Sequence, residues 1–129
     1  MVAKDIMTRE VIAVSPTMTV RQLATTLIKN QISGAPVAAK NGKIIGVVSE
    51  ADIVAKKGKD VRAIMSKKVI SVGEETAVED IARLMTLHKI KRLPIMRGDE
   101  AVGIVSRADI VSAIAMGKHI AIHTPVYDL

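Results

Sequence analysis

The chain has 129 residues, enough for one compact domain or two very small ones. Its hydrophobic share of 49% and charged share of 25% exclude a disordered or fibrous protein. Aromatic residues make up 1%, with Tyr127 alone and no Phe or Trp, so the core must be aliphatic; modules that stack bases on aromatic rings are excluded. The absence of Cys excludes disulfides, a thiol nucleophile and Cys-ligated zinc.

The opening Met1-Val2-Ala3-Lys4-Asp5 sets an acid where a secretory leader needs an apolar run. No apolar run approaches the roughly 18 residues that span a membrane. A cytoplasmic location without membrane association is expected. The net charge is +6, with 8 basic and 4 acidic side chains in residues 1–58 and 11 and 9 in residues 59–129. This diffuse excess suits an anionic ligand, and as an alternative it suits nucleic acid.

The sequence repeats itself. At an offset of 58, Ile6-Met7 falls on Ile64-Met65, Val14 on Val72, Val20 on Val78, Ile32 on Ile90 and Pro36 on Pro94. At an offset of 57, Gly46-Val47-Val48-Ser49 falls on Gly103-Ile104-Val105-Ser106, and Ala51-Asp52-Ile53-Val54 on Ala108-Asp109-Ile110-Val111. A lone repeat of this size buries a marginal core, so the two are expected to pack together. The expected organisation is residues 1–58, residues 59–117 and a tail over residues 118–129.

Each repeat reads β-α-β-β-α. A strand is expected at Val11–Val14 and again at Val69–Val72. An amphipathic helix follows, with apolar Val20, Leu23, Ala24, Leu27 and Ile28, then Val78, Ile81, Ala82 and Met85, at helical spacing. Thr19-x-x-Gln22 and Thr76-x-x-Glu79 read as capping boxes. Strands over Ala35–Ala39 and Leu93–Arg97 contain Pro36 and Pro94, which suggest strand ends or sheet edges. Asn41-Gly42 and Gly98-Asp99 read as turns before strands Ile44–Ser49 and Ala101–Ser106. A second helix then starts at Glu50 and at Arg107.

Ser49-x-x-Asp52 and Ser106-x-x-Asp109 lie at strand-to-helix junctions. As local structure they cap a helix, with Asp complementing the dipole. As chemistry they offer free N–H groups to a phosphate and two carboxylate oxygens to a diol. The run Lys89-Ile90-Lys91-Arg92 supplies cations; at a helix end they would serve the dipole. His119 and His123, four apart, could ligate a metal on one helix face, but no third ligand is evident and Pro125 follows, so no metal site is expected. Neither a P-loop nor a dinucleotide fingerprint occurs, and no nucleophile elbow supports a Ser-His-Asp set. No catalytic residue is expected.

The ordered series Ile32-Ser-Gly-Ala-Pro-Val37, Gly46-Val-Val-Ser-Glu-Ala-Asp-Ile53, His88-Lys-Ile-Lys-Arg-Leu-Pro-Ile95 and Gly103-Ile-Val-Ser-Arg-Ala-Asp-Ile110 resembles the cystathionine-β-synthase (CBS) domain. Present twice over about residues 3–117, it resembles a stand-alone CBS pair, or Bateman module. The resemblance implies a mixed α/β fold of two tandem motifs related by a pseudo-twofold axis. It also implies a non-catalytic regulatory and energy-sensing role. Two clefts would bind AMP, ADP, ATP or S-adenosylmethionine, with no catalytic cofactor, and a homodimer would regulate a partner protein. The apolar residues Ile53, Val54, Ile110, Val111 and Ile114 of the second helices are expected to form the dimer face.

By the resemblance, Asp accepts the ribose hydroxyls, the matching Ser lies near the phosphate, and the first strand reads adenine through its backbone. One cleft would gather Thr8, Ala13, Ile32, Ser33 and Pro36 with Lys91, Arg92, Ser106 and Asp109. The other would gather Ser66, Ser71, Ile90 and Pro94 with Ser49 and Asp52. Ser33 and Gly34 stand where the first has Lys91 and Arg92, so the Asp109 cleft is expected to hold phosphate more tightly.

Overall fold

A computed structural model describes residues 1–117. The elements in chain order are α1 (Ala3–Ile6), α2 (Val20–Asn30), β1 (Gly34–Ala38), β2 (Ile44–Ser49) and α3 (Glu50–Ala55), then α4 (Val61–Ile64), β3 (Val72–Gly73), α5 (Val78–His88), β4 (Arg92–Arg97), β5 (Glu100–Ser106) and α6 (Arg107–Ala115). The fold is mixed α/β. The expected tail, with His119 and His123, lies outside the described residues.

The described residues form two compact units: Ile12–Val69, and Met1–Val11 together with residues 70–117. The units are cut differently from the sequence repeats, because each receives the leading segment of the other repeat. In the first unit, Val14, Leu23, Leu27, Ala35, Val37, Val48, Val61, Ile64 and Met65 form the core. In the other, Ala3 and Met7 join Val78, Ile81, Met85, Leu93, Ile95, Val105 and Ile110. Full burial of one such side chain contributes roughly 1.5–3 kcal/mol.

The amphipathic helices form as the apolar spacing requires. Helix α2 opens on the expected box: Gln22 N donates to Thr19 Oγ1 at 3.1 Å and Thr19 N to Gln22 Oε1 at 2.9 Å. Helix α5 corrects the parallel expectation. Its N-cap is Ala77, and Thr76 Oγ1 accepts instead from Gly73 N at 3.2 Å. The chain's own start replaces the box, since Met1 carbonyl accepts from Val78 N at 3.0 Å. The segment carrying α4 serves α2 likewise, Lys59 carbonyl accepting from Val20 N at 3.2 Å. Both leading helices have 4 residues, too few for the apolar periodicity to reveal.

The hairpins β1–β2 and β4–β5 are antiparallel, with Pro36 opposite Val47 and Pro94 opposite Ile104. Strand β4 is central, between parallel β3 and antiparallel β5, so Pro94 is not on an edge. The expected first strands shrink to Val14, bridged singly to Val37, and to the two-residue β3. The prolines explain this. Val14 N donates to Pro36 carbonyl at 3.0 Å and Ala38 N to Val14 carbonyl at 2.9 Å. One step earlier the ladder would need a Pro36 N–H for the carbonyl of Ile12, and proline has none. Pro94 imposes the same limit ahead of Val72. The run after α5 also differs from expectation. Lys89 ends the helix in the left-handed region, and Arg92 starts β4 rather than ending a helix.

Ion pairs join the turn after β3 to the end of β4 and to the start of the chain. Arg97 grips Glu74 with two hydrogen bonds of 2.9 and 3.0 Å, and Lys4 reaches Glu75 at 2.6 Å. The Arg97 hydrogen bond holds the Glu74 carboxyl below its ordinary range, and the Glu75 hydrogen bond raises the Lys4 ammonium.

One close approach recurs in both units. The segment after α4 lies on β2, with Val47 and Ser66 bridged through N–H···O bonds of 2.8 and 2.9 Å. The segment after α1 lies on β5, with Thr8 and Ile104 bridged at 2.8 and 2.9 Å. A Cβ on Gly46 would stand 2.8 Å from Met65 Sδ and 2.8 Å from the Ser66 carbonyl oxygen. A Cβ on Gly103 would stand within 3.1 Å of three Met7 side-chain atoms. Gly46→Ala is therefore expected to destabilise the protein by about 1–3 kcal/mol through overpacking against backbone. Chemical denaturation measures this, and an unchanged midpoint would refute the close-approach argument.

Candidate functional site

The polar residues singled out in the sequence gather at one end of each hairpin. In the unit containing α6, Ser106 ends β5 and pairs with Arg92 at the start of β4. Arg107 N donates to Lys91 carbonyl at 2.8 Å, which ties the loop before β4 to the first turn of α6. Thr8, bridged to Ile104, approaches β5 from its other side. Thr8, Lys91, Arg92, Ser106 and Asp109 are thus positioned by three neighbouring stretches of backbone. Thr8 and Lys91 are exposed, and Arg92, Ser106 and Asp109 are half-buried.

Helix α6 opens with a reciprocal box. Asp109 N donates to Ser106 Oγ at 3.1 Å, and Ser106 N donates to Asp109 Oδ2 at 2.8 Å. The bland capping role and a binding role are compatible. The box aims the carboxylate back over the start of the helix, and Oδ1 takes no hydrogen bond from a described residue. A half-buried carboxylate oxygen with spare lone pairs, beside a cationic strand start, can accept hydroxyls while the Arg92 end receives an anion.

The same geometry is laid out in the Ile12–Val69 unit with different side chains. Ser49 pairs with Gly34, Glu50 N donates to Ser33 carbonyl at 2.9 Å, and Ser66 is bridged to Val47. Ser33 and Gly34 take the places of Lys91 and Arg92, so this end lacks that cationic pair. The cap also differs. Ser49 Oγ accepts no capping hydrogen bond; Ser49 N donates to Asp52 Oδ2 at 2.9 Å and the hydroxyl points to the same oxygen at 3.4 Å. Asp52 Oδ1 is paired with Lys56 Nζ at 2.9 Å.

The remaining site residues divide between the units. Ala13, Ile32, Ser33 and Pro36, which the resemblance groups with Asp109, belong to the Ile12–Val69 unit, as does Ser66. Ser71, Ile90 and Pro94, grouped with Asp52, belong to the unit of α6. Pro36 and Pro94 are buried, Ile32 and Ile90 half-buried, and Ala13 and Ser71 exposed. Ile32 N and Ile90 N close the ends of α2 and α5 by donating to Leu27 and Met85 carbonyls, each at 3.0 Å. Lys56 escaped the sequence reading, although its place four residues after Asp52 is the helical ion-pair spacing. Among the described residues no cluster of His, Asp or Glu is arranged to hold a metal ion, and no helix is long and apolar enough to cross a membrane.

Comparison with known proteins agrees with this layout. The CBS domain family model matches residues 3–58 and 61–116. The CBS domain-containing protein YhcV of Bacillus subtilis is 32% identical over 114 residues, covering 83% of this chain and 81% of that protein. The CBS domain pair of protein MJ0100, solved with 5′-methylthioadenosine and S-adenosyl-L-methionine, superposes with a TM-score of 0.86 at 28% identity, covering 92% of this chain and 98% of that one. CBSX2, solved in complex with AMP, superposes with a TM-score of 0.84 at 28% identity over the same shares. With two family matches spanning almost every described residue, and the same hairpin end built twice, the chain belongs to the CBS domain family and carries the domain as a tandem pair.

Proposed function

We propose that this protein is a non-catalytic regulatory module that binds an adenosine-containing ligand (AMP, ADP, ATP or S-adenosylmethionine) through the Asp109 end of its β4–β5 hairpin. The observation carrying the proposal is the half-buried Asp109 carboxylate, whose Oδ1 is unengaged among the described residues while Oδ2 is held by Ser106 N. The ligands of MJ0100 and CBSX2 support the chemical class. In this reading Asp109 accepts the ribose hydroxyls, Ser106 and Thr8 lie toward the phosphate or its substituent, and Arg92 and Lys91 supply positive charge. Binding alters a partner protein only if the ligand prefers one state of the module over another.

A second copy of the chain is the natural cover for the outer face of α6. Val111, Ile114 and Met116 are 60%, 47% and 74% exposed there, and Val54 on α3 is 87% exposed. Ile110, expected on this face, is instead 6% exposed in the core, and Ile53 is half-buried against the core of its own unit. The proposed homodimer therefore rests on Val54, Val111, Ile114 and Met116. Light scattering at micromolar concentration is expected to give twice the 13.8 kDa chain mass; a monomeric mass would refute the dimer.

If Asp109 accepts both ribose hydroxyls, 2′-deoxy-AMP binds more weakly than AMP. Loss of a hydrogen bond to a charged acceptor costs roughly 1.5–3 kcal/mol, on the order of ten- to a hundredfold in Kd. Calorimetry measures the difference, and equal affinities would remove Asp109 from this role. A DNA oligomer titrated in parallel at two salt concentrations tests the nucleic-acid alternative, whose affinity falls steeply with salt.

Arg92→Ala is expected to weaken AMP by about 2 kcal/mol through loss of a charge-assisted phosphate contact, with adenosine little affected. The ratio of the two affinities is the informative quantity, since a folding defect would lower both together. An unchanged ratio would reassign Arg92 to a purely structural role.

A further inference from the structure

The two hairpin ends differ at one further residue. Asp52 is engaged at both oxygens: Oδ2 receives Ser49 N at 2.9 Å and the Ser49 hydroxyl at 3.4 Å, and Oδ1 receives Lys56 Nζ at 2.9 Å. Lys56 is held from a second side, since Nζ also donates to Ile64 carbonyl at 3.2 Å. That carbonyl belongs to the last residue of α4. The carboxylate is only 17% exposed and the lysine side chain 46%. Among the described residues, the Asp109 carboxylate receives Ser106 N alone. The position four residues after Asp109 is Ala113, 6% exposed, which has no donor to offer.

From this contrast we infer that Lys56 is a specificity-determining residue. It occupies the Asp52 carboxylate and closes it to the vicinal diol of an adenosyl ligand, so the chain takes that ligand at Asp109. The inference rests on the reading of Asp109 as the diol acceptor. A ribose diol reaching Asp52 must compete with the ammonium for Oδ1 and with the Ser49 groups for Oδ2. Helix α3 does not compensate. It has 6 residues, and the neighbouring hairpin start offers Gly34 where β4 offers Arg92. Closure is therefore written into one unit by a lysine that the other unit replaces with a buried alanine.

Calorimetry with AMP tests this on wild type, Lys56→Met, Lys56→Gln and Asp109→Asn, and on Lys56→Met combined with Asp109→Asn. Wild type is expected to show a tight event that Asp109→Asn removes. Lys56→Met is expected to add a second event, or to tighten a weak one about fivefold, the worth of freeing a partly exposed ion pair. That event should survive in the double variant. Lys56→Gln keeps a donor for Ile64 carbonyl without the charge and should give the same gain, which separates the opening of Asp52 from loss of the α3–α4 tie. If both Lys56 variants melt like wild type and retain the Asp109-dependent event without the gain, the inference is wrong and the Asp109 reading stands. If no protein shows an Asp109-dependent event, that reading fails and the inference fails with it.

Discussion

The arrangement of both units depends on a leading segment packed closely over a glycine. Met65 over Gly46 and Met7 over Gly103 leave no room for a Cβ on the strand beneath. The approach lets residues 66 and 8 bridge to β2 and β5, so each of these strands has neighbours on both sides. The polar residues that end the strand are thereby crowded from two directions. Thr8 and Arg92 flank the end of β5, and Ser66 and Gly34 flank that of β2. The segments also bring α1 and α4 into the cores, and they cover the starts of α5 and α2 with backbone carbonyls. One steric constraint thus serves packing, helix capping and the placement of functional groups.

Proline supplies a second constraint of opposite sense. Pro36 and Pro94 sit inside their strands, yet the missing N–H ends the parallel ladder before it can run back toward Ile12 and Ile70. The residues just before Val14 and Val72 are left outside regular structure, with Ala13 and Ser71 exposed. A strand fully paired along both edges could offer a ligand only its side chains. A ladder stopped short keeps backbone groups near the hairpin ends out of the sheet.

On this shared frame the two units diverge through few side chains. Lys91 and Arg92 against Ser33 and Gly34 change the charge at the hairpin start. Ala113 against Lys56 changes whether a lysine engages Oδ1 of the Asp carboxylate. The hairpin registers correspond in both, and the residues that end α2 and α5 share a φ of 54° at Gln31 and Lys89. The two ends therefore differ in electrostatics and hydrogen bonding more than in the course of the chain. Partly exposed pairs of this kind shift affinities by severalfold, enough to bias occupancy without altering the fold.

The sequence by itself determined the repeat, the two amphipathic helices, the turns, the hairpin strands and the Ser-x-x-Asp junctions. All of these are local: they follow from apolar period, glycine and proline placement, and a cap spanning three residues. It also carried the family resemblance, because the ordered motifs occur twice. The tertiary structure alone decided which repeat each leading segment serves, because Ile6-Met7 and Ile64-Met65 look alike and nothing local distinguishes packing on one's own hairpin from packing on the other. The cap of α5 was hidden for the same reason: Met1 carbonyl, 77 residues away in sequence from Val78, replaces the hydroxyl that local pattern would use. The burial of Ile110, the central place of Pro94 and the Ile64 carbonyl that holds Lys56 from a second side likewise depend on atoms outside the local pattern. Local pattern set what each segment can form, and long-range packing chose which faces and polar atoms remain open.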